Sequence, residues 1–167
     1  ASDVYKRQGW VSDLTGIAVY GLISIIIMLA AGYLCEKILL PHFDNTQEII
    51  QDHNMGTAFV EAGLHIANGL IVLAIFQGSG SLMSGLVFWA LAQVLLLVAG
   101  RLYEGVTPHN VHTELERDNA AVGLAFCGVL IGFGNIISVA VAGDFIGWKE
   151  GVQAFLFEAL FGLAVLL

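Results

Sequence analysis

LTGIAVYGLISIIIMLAAGYLC, residues Leu14–Cys35, runs for 22 residues without a charged side chain. As an α-helix it would extend about 33 Å, enough to cross a hydrocarbon core about 30 Å thick. Three more runs reach that length: Met55–Phe76, Leu82–Leu102 and Ala120–Ala142. A fifth, Gly151–Leu167, ends within apolar sequence and reads as a span cut short. With 57% hydrophobic and 12% charged residues, and a mean hydropathy of +0.83, a chain of 167 residues has no soluble core able to hide this much apolar surface. Leu14–Cys35 is too long for a signal peptide, and it is followed by Glu36 and Lys37 rather than a small-residue cleavage site.

Lipid makes every backbone polar group find a partner inside the protein, and the runs are too long and too weakly alternating for barrel strands. The expected fold is therefore all-α, a multi-pass transmembrane helical bundle. Charged residues gather in two connections, Asp44, Glu48 and Asp52 in the first and Glu104, Glu114, Glu116, Arg117 and Asp118 in the second. The net charge of −8 and the lack of a basic stripe exclude a nucleic-acid partner. Cys35 and Cys127 lie far apart in apolar runs, so neither a zinc motif nor a disulfide framework is indicated.

The two connections resemble one another. AGYLCEKILLPH (Ala31–His42) is matched by AGRLYEGVTPH (Ala99–His109), and Asn54, Gly63, Ile66, Gly69 and Ile71 are matched by Asn119, Gly128, Ile131, Gly134 and Ile136. The chain thus divides into tandem two-helix repeats. Residues 1–8 (ASDVYKRQ) read as a non-native extension, 9–80 as the first unit, 81–145 as the second, and 146–167 as the start of a third. Repeats of two spans keep their orientation, so the units should be related by an axis along the membrane normal. Asn54 and Asn119 are placed to cap the helices they precede, and Asp52 and Asp118 suit the positive helix ends. Asp44 and Gln47 have capping-box spacing, which predicts a short interfacial helix over Asn45–Asp52. His42, His53, His109 and His112 share these connections but match no metal-ligand spacing, and read as surface histidines.

The segment GRLYEGVTPHNVHTELERDNAAVGLAFCGVLIGFG, Gly100–Gly134, resembles the signature of the YjfL-like bacterial inner-membrane family, the domain of unknown function 350 family. Carrying the resemblance are Thr107-Pro108, Glu114, Glu116 and Asp118-Asn119-Ala120-Ala121. The first unit departs from the pattern, with Leu40 in place of the threonine and Met55-Gly56 in place of the two alanines. The resemblance implies a multi-pass protein of the bacterial plasma membrane and supplies no catalytic residues. Lys37, Arg101 and Arg117 flank the long connections, so the positive-inside rule places these acidic segments in the cytoplasm and the N-terminus outside.

The candidate site is a polar stripe in the second span. Asn54, Thr57, Glu61, His65 and Asn68 recur every three or four residues, on one helix face. Their counterparts in the fourth span include Phe126, Leu130 and Phe133, so the stripe is specific to the first unit. Glu61 and His65 either pair with each other or with Gln93 across the bundle as polar glue, or serve proton or cation transport, or ligate a metal. The metal reading lacks a third ligand. Glu158 in the fifth run reads as a second intramembrane carboxylate. Among the glycines, Gly63, Gly69, Gly128, Gly132 and Gly134 read as close helix-packing positions. No nucleophile–base set, phosphate loop, dinucleotide fingerprint or cofactor motif is present, so catalysis is the least favoured class. Transport leads; the alternative is a scaffold that forms homo-oligomers or recruits cytoplasmic protein partners through its acidic connections.

Overall fold

A computed structural model describes residues 2–41, 44, 46–78, 80–143, 145 and 147–166, with the side chains of 2–8 excepted. Its helices are α1 (Ser2–Leu39), α2 (Met55–Gly78), α3 (Leu82–Val106), α4 (Val111–Glu116), α5 (Ala120–Val141) and α6 (Trp148–Leu166), with a π-helical turn at Gln47–Gln51. No strand occurs among the described residues. Four helical segments are long and apolar enough to cross a membrane: Gly9–Leu39 of α1, and α2, α3 and α5. The all-α bundle expected from the apolar runs is thus the observed architecture.

Two local devices set the ends of α3. At its start Ser81 and Ser84 cap each other's backbone N–H, at 3.2 and 3.1 Å. At its end Thr107 is extended (φ −72°, ψ 132°), as the residue before Pro108 must be when the proline ring excludes the α conformation.

The bundle is organised around α2 and α5, which run parallel and share the largest interface. They meet backbone to backbone. A methyl group added to Gly123 would lie 2.5 Å from Gly56 Cα, one on Gly63 2.8 Å from Cys127 Cα, and one on Gly134 2.5 Å from Ala67 Cβ. A methyl on Gly78 would lie 2.8 Å from Ala142 Cα. Water is absent from a bilayer core, so van der Waals packing drives helix association there and rewards such close approach. Gly63 and Gly134 act as the sequence implied. Gly69 and Gly128 do not: nothing lies within 4 Å of a side chain built at either, and Gly132 meets only the Leu166 side chain. Around the seam, fully buried Val60, Leu64, Ile71, Phe126, Leu130, Phe133 and Ile137 form the core, and α3 and α6 add Leu96 and Phe155.

The start of each central helix is built in the same way. His53 (φ 56°) and Asp118 (φ 54°) are left-handed, and the following asparagine caps its helix: Asn54 Oδ1 accepts from Thr57 N at 2.9 Å and Asn119 Oδ1 from Val122 N at 3.4 Å. Each asparagine amide also donates to a glutamate of its own connection, Asn54 to Glu48 (3.0 Å) and Asn119 to Glu114 (2.7 Å). The first connection carries one residue more between glutamate and asparagine, and the π-helical turn absorbs it, with Asp52 N donating to Gln47 O. Asp44 accepts from Gln47 N (3.1 Å), so the expected interfacial helix exists as this π turn. Asn45 and His42 lie outside the described residues.

Asp118 serves a helix other than its own. Its Oδ1 accepts from Met55 N (2.7 Å) and Gly56 N (3.4 Å) of α2, while Asn54 donates across to Leu115 O at the end of α4 (2.8 Å). The two units are therefore laced together at the starts of α2 and α5.

Gly123→Val should destabilise the protein by about 3 kcal/mol, because a branched side chain at a backbone contact can only be overpacked. Gly69→Ala should cost nothing, since the added methyl meets open space and alanine favours the helix. Detergent-denaturation curves of the two variants check the difference. Asp118→Ala should cost about 1 kcal/mol through loss of the cap, with Asp118→Asn retaining most of it in the same assay.

Candidate functional site

The polar stripe of α2 is divided by the fold. Its inner members are sealed in the bundle: Thr57 and Asn68 are fully buried and Asn54 nearly so, as is Gln93 of α3. Asn68 Nδ2 donates to Leu64 O (2.9 Å) and contacts Cys35 Sγ (3.6 Å), and Gln93 Nε2 donates to Asn68 Oδ1 at 2.7 Å. Cys35 Sγ lies 4.0 Å from Gln93 Oε1. This closed set joins α1, α2 and α3, and it meets the description of polar glue between membrane helices. Gln93 thus pairs with Asn68 and Cys35 rather than with Glu61 or His65. Cys35 belongs to the set although its apolar surroundings in the sequence gave no sign of it. The Thr57 hydroxyl is buried without a hydrogen bond among the described residues.

The outer members, Glu61 and His65, lie at the edge where α2 meets α1. Glu61 Oε1 lies 3.3 Å from His65 Nε2, one helical turn on, with the glutamate side chain 24% exposed and the histidine side chain 55%. The drift of a 3.6-residue helix against steps of three and four accounts for the split: Asn68 turns inward while His65, one step earlier, turns outward. Both line a groove of about 500 Å³ between α1 and α2. Its deep wall includes Gly32 of α1, where an added Cβ would sit 3.4 Å from His65 Cε1. Glu36 lines the same groove, as do Tyr33 at one end and Ser24, Ile25 and Met28 at the other. His65 stands ten residues beyond Met55, the first residue of α2, or about 15 Å along the helix and close to the middle of a bilayer core. The sequence offered no reason to join Glu36 to this pair, because α1 meets α2 only in the folded bundle.

Other expected site residues stand elsewhere. Glu158 lines a small crevice with Gly78, Ala140 and Val141, level with the last turns of α2 and α5. It is a carboxylate near the far face of the bundle rather than deep within it. Glu104, one of the charged residues of the second connection, is largely buried: its Oε2 lies 2.9 Å from Arg101 and its Oε1 4.0 Å from His112 Nδ1. Arg101 donates to Ile38 O, and His112 Nε2 donates to Leu39 O at 2.9 Å. Together they cap the C-terminus of α1, where cationic and donor groups offset the free carbonyls. His112 is thus a structural member of the fold and not a surface histidine. No group of three or more metal-binding side chains is assembled among the described residues.

The family model described as Domain of Unknown Function (DUF350) matches residues 5–76 and 78–167, each segment holding one span–connection–span unit. The chain is 27% identical over 139 residues to the UPF0719 transmembrane protein YshE of Bacillus subtilis (strain 168), across 79% of this chain and 97% of that protein. No solved structure matches it. Four apolar helices, a glycine-packed parallel core and a family match over nearly its whole length make this a multi-pass membrane protein, and the chain belongs to the DUF350 family.

Proposed function

We propose that the chain serves ion- or proton-coupled permeation in a bacterial plasma membrane, with Glu61 as the group that takes up and releases the ion and His65 as its tuning partner. The observation that carries this is the outward placement of the pair. Polar residues that only hold helices together are enclosed, as Asn68 and Gln93 are. Glu61 and His65 instead border an open groove, about 9 and 15 Å along α2 from its start. A charged side chain within a bilayer core is costly, up to about 3 kcal/mol at its centre on insertion scales, and such residues commonly mark ion pathways.

Permeation is favoured over catalysis because the groove holds two carboxylates and an imidazole but, among the described residues, no nucleophile and no set of three side chains placed to hold a metal. It is also favoured over recruitment of a cytoplasmic partner by the acidic connections. Glu48, Glu114 and Asp118 are spent on the caps of α2 and α5, which leaves a thinner acidic surface than the sequence suggests. In the orientation proposed from the flanking basic residues, the connections face the cytoplasm and the acidic end of the groove lies toward that side.

A hydrophobic carbodiimide reacts with protonated carboxyls accessible from the membrane, so purified protein should be labelled at Glu61. High pH, sodium or potassium should suppress the labelling as mass spectrometry follows it. In proteoliposomes, Glu61→Gln should abolish the flux that the unaltered chain supports, whereas Gln93→Leu should lower stability by about 1–2 kcal/mol and leave flux in place. Glu61 unlabelled at every pH, or flux unchanged in Glu61→Gln, would remove the carboxylate from the mechanism.

A further inference from the structure

The groove between α1 and α2 is amphipathic along its length. Glu36 and Glu61 lie toward the connection end, and Ile25, Met28 and Leu29 extend the groove as an apolar channel away from them. Antiparallel packing of α1 on α2 places Gly32 beside His65 and brings Glu36, one turn further along α1, level with Glu61. Access is from the side: Ile25, Leu29 and Tyr33 line the groove, yet are 58%, 70% and 62% exposed.

The charges fix the kind of occupant. Glu36 and Glu61 are the two carboxylates that line the groove, while Lys37, next to Glu36 in the chain, and Arg101, which donates to Ile38 O, are the basic residues at this end. The Lys37 ammonium lies 5.9 Å from the centre of the Tyr33 ring, a cation–π arrangement at the mouth of the groove. Among the described residues that line the groove none is a lysine or arginine, so the two carboxylates favour a cationic occupant. An inorganic cation would give up its hydration shell to enter a groove walled largely by aliphatic side chains. A cation carrying its own apolar groups already resides in the bilayer and loses little. The volume, about 500 Å³, falls in the range of about 300–1,000 Å³ typical of sites for small organic ligands.

We propose that the α1/α2 groove binds a lipophilic organic cation drawn sideways from the bilayer. The cationic centre sits between Glu36 and Glu61, and the apolar part lies along Ile25, Met28 and Leu29. This rests on the permeation reading of the same groove and names its substrate class. Glu61 then alternates between the cation and a proton, and His65 holds the carboxylate toward the groove in both states. Gly32 keeps the deep wall low enough for the occupant to reach the carboxylates.

The test uses the full chain in nanodiscs of zwitterionic phospholipid, with radiolabelled tetraphenylphosphonium as probe. Saturable binding of one equivalent is expected. Glu36→Gln and Glu61→Gln should each weaken it at least tenfold and Gly32→Leu should weaken it by obstruction, while Lys37→Gln should tighten it severalfold by removing the resident ammonium. The probe should also protect Glu61 from the carbodiimide, and its neutral isostere tetraphenylsilane should not. Binding that is absent, that is equal in the unaltered chain and both glutamine variants, or that the neutral isostere matches in protection overturns the inference. Carbodiimide labelling of Glu61 with no binding or protection by the probe sinks the lipophilic cation alone and leaves permeation of a proton or small ion standing. Probe binding that depends on both glutamates, without flux, upholds the site and removes the permeation reading. Thermal unfolding of each variant within a few degrees of the parent separates loss of the site from loss of the fold.

Discussion

Everything else in this bundle depends on how closely α2 and α5 approach. Their backbones touch at Gly56–Gly123 and Gly63–Cys127, and again at Ala67–Gly134 and Gly78–Ala142, so the seam runs nearly the full length of both helices. In water such a seam would be secondary to burial of large side chains. In lipid the tails are as apolar as leucine, and dense contact must supply the association energy. The larger side chains, Phe126, Phe133, Leu130 and Ile137, fill the space on either side of the seam, where α1, α3 and α6 close against it.

That seam requires the two helices to start at the same level, and the connections meet the requirement with unequal lengths of chain. A π turn takes up the surplus residue, and a left-handed residue followed by a capping asparagine restores the same geometry in both. The crossing bonds Asp118–Met55 and Asn54–Leu115 then fix the starts of α2 and α5 against one another. Such positions, with a non-glycine residue at positive φ, are sparsely populated and persist where the surroundings over-determine them.

Much of the architecture was legible because membrane spans are written as composition and length. The four runs became α1, α2, α3 and α5, and the asparagines became caps, because both signals are local. What could not be read is what depends on which helix face meets which. Glycines at 69 and 128 look no different in sequence from those at 63 and 134, yet only the second pair touches another backbone. Asp118 precedes α5 in the chain but caps α2, and Glu36 lies in the first span but lines a groove with Glu61. The stripe on α2 was visible as a pattern. Its division into an enclosed half and an open half required knowing that α1 and α3 cover Asn68 while leaving His65 at an edge.

The parallel course of α2 and α5 has an electrical consequence. Two helices pointing the same way bring two positive dipole ends, each about half an elementary charge, to one face of the bundle. Asp118 and the two asparagines meet those ends, and Arg101 with His112 meets the opposite end of α1 beside them. The partial charges of this face are thus balanced within a few ångströms of where they arise, and little of their field reaches deeper. The α1/α2 groove is lined instead by Glu36, Glu61 and His65, so its electrostatic character comes from side chains rather than from helix ends.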